Sequence, residues 1–189
     1  MFTFIDKFVT PPLMYFEFLT SIGPIRLSWH DKTIREVHLL EAPLIQSRKK
    51  QRQTIATQSA DRADVPAWVQ SWAQKICRHV DGHPQDFSTC PLDMTGLSDF
   101  AKSVYHATRE IPSGQVKTYE SIAKNIGNPG SARAVGGALR RNPFLIIIPC
   151  HRVIGKNGGL RGFMGPKGTH TKRRLLDLES LRPVKLSIT

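Results

Sequence analysis

Cys150, His151 and Glu179 are of the types that together support nucleophilic chemistry. A cysteine reacts as its thiolate, and an imidazole that takes the thiol proton, itself oriented by a carboxylate, activates it. Cys150 and His151 are neighbours in the string Ile148-Pro149-Cys150-His151-Arg152. In an extended segment adjacent side chains point to opposite faces, so a bridging water or a turn has to connect thiol and ring. Glu179 lies four residues beyond Leu175, on the same helical face, so its carboxylate is expected to point inward. A buried carboxylate needs a partner, and an imidazole such as His151 would serve.

The elements that position these groups can be read outward from the cysteine. Asn142-Pro143 stops a helix, and the apolar run Phe144 to Ile148 reads as a buried strand. Pro149 ends that strand because it cannot donate to a ladder. The glycine-rich stretch 155–168 follows as a loop, expected to form a wing and one pocket wall, and a last helix runs from about Thr171 to Ser180. Upstream, a helix carries Leu97, Phe100, Ala101, Val104 and Ala107 on one face, and Gln115-Val116-Lys117 reads as a short strand. Thr118 caps a helix with Ile122, Ala123 and Ile126 inside and Gly127 at its end. After Asn128-Pro129-Gly130 a further helix spans Ser131 to Arg141, completing a helix-turn-helix pattern.

That last helix has Ala132, Val135 and Leu139 as its apolar stripe and Arg133, Gly136, Gly137 and Arg140 opposite. Two mid-helix glycines cost about 1 kcal/mol each relative to alanine. Close approach of another backbone would offset the loss, either a packed protein element or a groove of a phosphate polymer.

Charge favours the second partner. The first hundred residues carry equal numbers of basic and acidic side chains, so the whole net charge of +12 belongs to the remainder, where Glu110, Glu120, Asp177 and Glu179 are the only acids. Such asymmetry points to a polyanion.

Residues 1–40 hold short apolar clusters at Phe2–Ile5, Leu13–Phe16, Ile25–Leu27 and Ile34–Val37, the last two alternating as antiparallel strands do. Residues 41–65, with Arg48-Lys49-Lys50-Gln51-Arg52, read as a loop. From Pro66 a helix has Trp68, Trp72, Ile76 and Val80 spaced by four, with Cys77 as a core residue beside them. His79 and His83 show no metal-binding pattern, and residues 81–93 read as the connection between two domains, with Cys90 incidental. The fold class is therefore α+β. A small N-terminal α/β domain with an antiparallel sheet (1–91) precedes a mostly helical C-terminal winged helix-turn-helix domain (92–189). Three cysteines without CxxC spacing suggest neither a disulfide framework nor a zinc site. With no membrane-length apolar run and no signal-peptide pattern, a cytoplasmic location is expected.

The string IPCHRVIG, preceded by TYESIAKNIGNPGSARAVGGALRRNP, resembles the active-site and helix-turn-helix region of the O6-alkylguanine-DNA alkyltransferases over residues 95–180. The resemblance implies a ribonuclease-H-like N-terminal domain and irreversible, single-turnover transfer of an alkyl group from guanine O6, with thymine O4 as a second candidate, to Cys150. It implies His151 as base through water, Glu179 as its orienter, Tyr119 as hydrogen-bond donor to guanine N3, and Asn142 as link between recognition helix and acceptor segment. It further implies that Arg133 replaces the flipped base, with Ala132, Ala134, Gly136 and Arg140 on the DNA-facing helix. The carbonyls of Cys150 and Val153 would hold the exocyclic amine, and Met164 and Lys172 would line the pocket. Where some members place a serine beside the substrate oxygen, this loop reads Phe163-Met164-Gly165. Some members hold zinc through N-terminal Cys and His; residues 1–76 contain no cysteine, so no metal is expected, and no cofactor. The implied partner is duplex DNA containing alkylated guanine, bound by a monomer, with no membrane. Two other readings are a non-catalytic winged-helix lesion binder, which leaves Cys150 without a role, and a thiol hydrolase, which leaves the basic half without one.

Overall fold

The computed structural model describes residues 13–41, 58–59, 64–160, 163 and 166–180. The clusters at Phe2–Ile5 and Arg48–Arg52, and the pocket candidate Met164, lie outside the described residues.

Alternation along the N-terminal segment produces β1 (Met14–Thr20), β2 (Gly23–His30) and β3 (Thr33–Leu39), paired antiparallel with Phe16 opposite Leu27 and Leu27 opposite Val37. A two-residue β4 (Gln58–Ser59) adds parallel to β1, giving the order β3-β2-β1-β4. Ile25, Leu27 and Trp29 of β2, with Ile34 and Val37 of β3, form the buried face. Helix α1 (Ala67–Val80) buries Val69, Ala73, Ile76, His79 and Val80. This stripe is turned from the expected one. Trp68 and Trp72 stay half-buried, Trp72 at the margin under the Lys75 ammonium and beside Phe87, and Cys77 is half-buried as well.

The C-terminal half is helical. Ser98 caps α2 (Asp99–Arg109) by accepting from the Ala101 N–H, and Thr118 caps α3 (Tyr119–Asn125) by accepting from that of Ser121. Gly127, at φ +72°, takes the left-handed conformation that ends the helix. Helix α4 (Ala132–Arg140) buries Val135, Ala138 and Leu139, and the Tyr105 hydroxyl of α2 donates to the Ala138 carbonyl. The strand expected over Gln115–Lys117 is β5 (Lys117–Thr118), parallel to β6 (Val153–Ile154). Helix α5 (Thr169–Ser180) packs on the 3-10 turn Cys150–Arg152. Among the described residues no helix is long and apolar enough to cross a membrane.

The apolar run before the cysteine is buried as expected, but it is not a strand. Phe144 and Leu145 dock on the edge of β3, where the Val37 N–H donates to the Pro143 carbonyl and the Leu145 N–H to the Val37 carbonyl. The chain then reverses through Ile146 at φ +73°, and the Ile148 N–H closes the turn on the Phe144 carbonyl at 2.8 Å. A β-branched residue at positive φ costs about 1–3 kcal/mol and persists where the surroundings over-determine it. Ile146 is 1% exposed between two docked flanks. A buried strand and a buried reversal impose the same apolar pattern, which is why the sequence favours the commoner one.

Candidate active site

The reversal delivers Pro149, and the next three residues wind into the 3-10 turn that carries Cys150 and His151. The turn, rather than an extended segment, therefore sets the relative direction of thiol and imidazole. Asn142, at the end of α4, braces it. Its amide nitrogen donates to the Ile148 carbonyl at 2.9 Å, and its amide oxygen accepts from the Phe144 N–H at 3.0 Å. Helix α4 and the segment leading into the Cys150–Arg152 turn are thus tied through one side chain.

Cys150 is 7% exposed. Burial pushes its thiol up, against the opposing pull of the Asn142 side chain, the Lys172 ammonium and the N–H groups of Cys150 and His151. The sulfur borders a small cleft shared with Val37, Leu39, Leu139 and Phe163.

His151 is fully buried, and its Nε2 lies 2.9 Å from Glu179 Oε1. Burial works to raise the Glu179 carboxyl, but His151, His79 and Arg152 outweigh it and hold it well below the usual carboxylate range. An ionised carboxylate only accepts, so His151 donates its Nε2–H. Burial in turn holds the imidazole below its ordinary 6.5, despite the carboxylate, so the resting ring is neutral. The lone pair is then on Nδ1, which is buried without a hydrogen-bond partner.

A second group gathers on Lys172, also fully buried on α5. Its ammonium donates to the Val153 carbonyl at 2.6 Å and to the Tyr119 hydroxyl at 3.3 Å. Burial brings this amine down to about 8. Both expected amine-binding carbonyls thus already accept one bond, Val153 from Lys172 and Cys150 from the Val153 N–H. Each keeps a second lone pair.

Outside this core, Tyr119, Ala132, Arg133 and Gly136 face Gly155, Lys156, Asn157 and Gly159 across a cleft of about 530 Å³. Arg133, Ala134 and Arg140 are exposed on α4, while Ala132 is half-buried. A methyl group built at Gly136 would meet the Tyr119 ring at 3.7 Å, and one at Gly137 would meet only the Arg141 guanidinium at 3.9 Å, both ordinary contacts. Packing within the chain does not require these two glycines, which removes the intramolecular explanation for their cost.

The profile of the 6-O-methylguanine DNA methyltransferase, DNA binding domain, matches residues 99–181. The methylated-DNA–protein-cysteine methyltransferase of Methanosarcina acetivorans is 56% identical over 174 residues, spanning 88% of this chain and 98% of that protein. This chain belongs to the methylated-DNA–protein-cysteine methyltransferase family. The Methanosarcina barkeri protein of the same name is 38% identical over 88% of this chain and 97% of its own length. A crystal structure of the Mycobacterium tuberculosis OGT in complex with DNA superposes with a TM-score of 0.73 at 34% identity, covering 89% of this chain and 94% of that one.

Sequence reasoning about this alkyltransferase-family chain missed two members of the buried cluster. Arg152 lays its guanidinium on both Glu179 oxygens, with Nη2 at 2.7 Å from Oε1 and Nε at 2.9 Å from Oε2, and donates through Nη1 to the Ile111 carbonyl. His79 brings its Nε2 to 3.0 Å from Oε1. The sequence carried a signal for it: a polar residue three beyond Ile76 and one before Val80 sits on the buried face of α1. By type His79, His151 and Glu179 could hold a metal, their donor atoms lying within 4.8 Å of one another. The guanidinium already occupies the carboxylate that a cation would need.

Proposed function

We propose that the chain repairs DNA by moving an alkyl group from guanine O6 to its own Cys150, irreversibly and once per molecule. The observation that carries this reading is the buried, unpartnered Nδ1 of His151, presented one residue from a buried thiol while Nε2–H is fixed on Glu179. A base with an exposed thiol and no oriented lone pair would serve neither transfer nor selectivity.

In this reading α4 enters the minor groove with its glycine face, the target nucleotide turns out past Tyr119 toward Cys150, and Arg133 fills the vacated stack. The Cys150 proton passes through a water to His151 Nδ1. The thiolate then attacks the alkyl carbon, forming S–C as the C–O6 bond breaks, and the electron pair of that bond moves onto the guanine ring. Tyr119 donates to N3 as that charge develops, strengthened as a donor by the Lys172 ammonium on its oxygen. The proton held on His151 finally returns to guanine, so the products are S-alkylcysteine and neutral guanine. Val153 and Lys172 form the pocket floor, and no metal or cofactor takes part. The reading includes a monomeric, cytoplasmic protein, a recognition and acceptor half beginning near residue 92, and a supporting half before it.

Intact-mass measurement and peptide mapping after incubation with duplex containing O6-methylguanine test the proposal. One methylene gained per chain, on the Cys150 peptide and saturating at one equivalent, is the expected result. Unchanged mass with DNA still bound would replace it with the lesion-binding alternative.

A further inference from the structure

We propose that His79, from the N-terminal half, is a positioning residue for the acceptor: it fixes the Glu179 carboxylate in the one orientation that keeps the His151 lone pair on Nδ1. A single oxygen, Glu179 Oε1, receives Nε2 of His79 at 3.0 Å, Nε2 of His151 at 2.9 Å, and Nη2 and Nε of Arg152 at 2.7 and 3.2 Å. The other oxygen receives Arg152 Nε at 2.9 Å and the Gly114 N–H at 3.4 Å.

The Arg152 Nε reaches both oxygens, at 3.2 and 2.9 Å, so the guanidinium fork alone leaves the carboxylate room to slide along it. Sliding would carry Oε1 away from His151. The Nε2–H of His79, donated to that same oxygen from α1, opposes it.

His79 is itself held in one state. Its Nδ1 accepts the Gln85 N–H at 3.2 Å, which leaves Nε2 as the protonated nitrogen and makes the ring a donor to Glu179. Its edge packs on Phe87 with centroids 5.3 Å apart and planes at 75°, and the residue is 3% exposed. A flipped ring loses both hydrogen bonds at once. The contact spans 100 residues of sequence and runs from the last turn of α1 to that of α5. The N-terminal half therefore reaches the reacting cysteine through His79, Glu179 and His151, besides the edge of β3 that supports its backbone.

The substitutions His79→Phe and His79→Gln test this. Phenylalanine keeps the ring packing and removes the donor; the glutamine amide nitrogen stands close to where Nε2 stands. Two rates are read on each folded variant: methyl transfer from duplex containing O6-methylguanine, and capping of Cys150 by iodoacetamide, followed on the Cys150 peptide. The transfer arm rests on the proposed function, whereas the capping arm does not. His79→Phe is expected to slow both about tenfold, as a misplaced base does, with duplex Kd within about twofold of the parent. His79→Gln should recover both to within about threefold. A folded His79→Phe chain that caps and transfers at the parent rates overturns the proposal, and so does a glutamine variant no better than phenylalanine. If the parent caps normally but transfers nothing, the functional reading falls and the capping arm still decides. Should His79→Phe fail to fold, nitrogen-15 spectra of the unsubstituted chain decide. Protons on Nε2 of both His79 and His151 are expected, and a proton on Nδ1 of His79 overturns the inference.

Discussion

Cys90 and Cys150 are both buried thiols, yet their surroundings are arranged to opposite ends. Around Cys90 the nearby cation is aimed at backbone. Arg109 donates to the carbonyls of Phe87 and of Cys90 itself, at 2.8 Å for the latter. Burial pushes that thiol up to about 12, with Arg109 and Lys75 opposing it weakly. Around Cys150 the Asn142 side chain, the Lys172 ammonium and two N–H groups all favour the thiolate, and an imidazole stands ready for the proton. Burial alone makes a cysteine inert; what separates an acceptor from a core residue is where the neighbouring donors point.

The sharpest way to break the contrast is to exchange the two sulfurs' fates. Cys150→Ala should abolish methyl incorporation while leaving duplex affinity within about twofold, whereas Cys90→Ala should leave transfer unchanged. Mass spectrometry and a binding titration read both, and label found on Cys90 would erase the distinction.

Glu179→Gln comes next. It leaves the Arg152 guanidinium buried without its carboxylate, and denaturant unfolding should show a loss of about 3–5 kcal/mol. The unsubstituted protein should show the same dependence through pH. His151 and Glu179 both bind protons less readily folded than unfolded. Their contributions are complete above the ordinary His value of 6.5. They are lost as pH falls, first as the unfolded His151 takes a proton and then, below 4.5, as the unfolded Glu179 does. A stability curve flat from pH 7 to 4 would contradict the burial of the pair.

Lys172→Met separates stability from chemistry. Because the fold lowers this amine from 10.5 to about 8, keeping it charged at neutral pH opposes folding. The variant should therefore unfold at an equal or higher denaturant concentration while transferring about a hundredfold more slowly. Parallel loss of both would reassign Lys172 to support.

The smallest effect belongs to Gly136→Ala. With its nearest contact at 3.7 Å, the methyl group is accommodated, and helix propensity should add up to about 1 kcal/mol of stability. Duplex affinity should fall in the same variant, measured by titration, if that face is reserved for DNA. Unchanged affinity would place the groove contact elsewhere on α4.

Much of this was legible from residue order. Glu179 reads as inward-facing from its distance to Leu175, Thr118 reads as a cap, and the helix-turn-helix lies within a residue or two of its expected limits, because each depends on neighbours close in sequence. The roles of His79 and Arg152 exist only once α1 and the Cys150–Arg152 turn both converge on α5, and no local pattern encodes a meeting across 100 residues or across 27. The reversal at Ile146 escaped for another reason: the edge of β3, not the apolar run itself, decides that those residues turn.

The raised, 7% exposed thiol of Cys150 also bears on how long the molecule keeps. On the proposed reading Cys150 is the one acceptor and neither Cys77 nor Cys90 stands in for it, so every encounter with peroxide, a disulfide or a stray electrophile before the lesion is found threatens its only equivalent. Those reagents consume thiolate. In that reading, storing the sulfur protonated beside Phe163 and Leu139, and releasing its proton to His151 when the substrate fills the site, would give the chain a long shelf life without dulling the single reaction it is kept for.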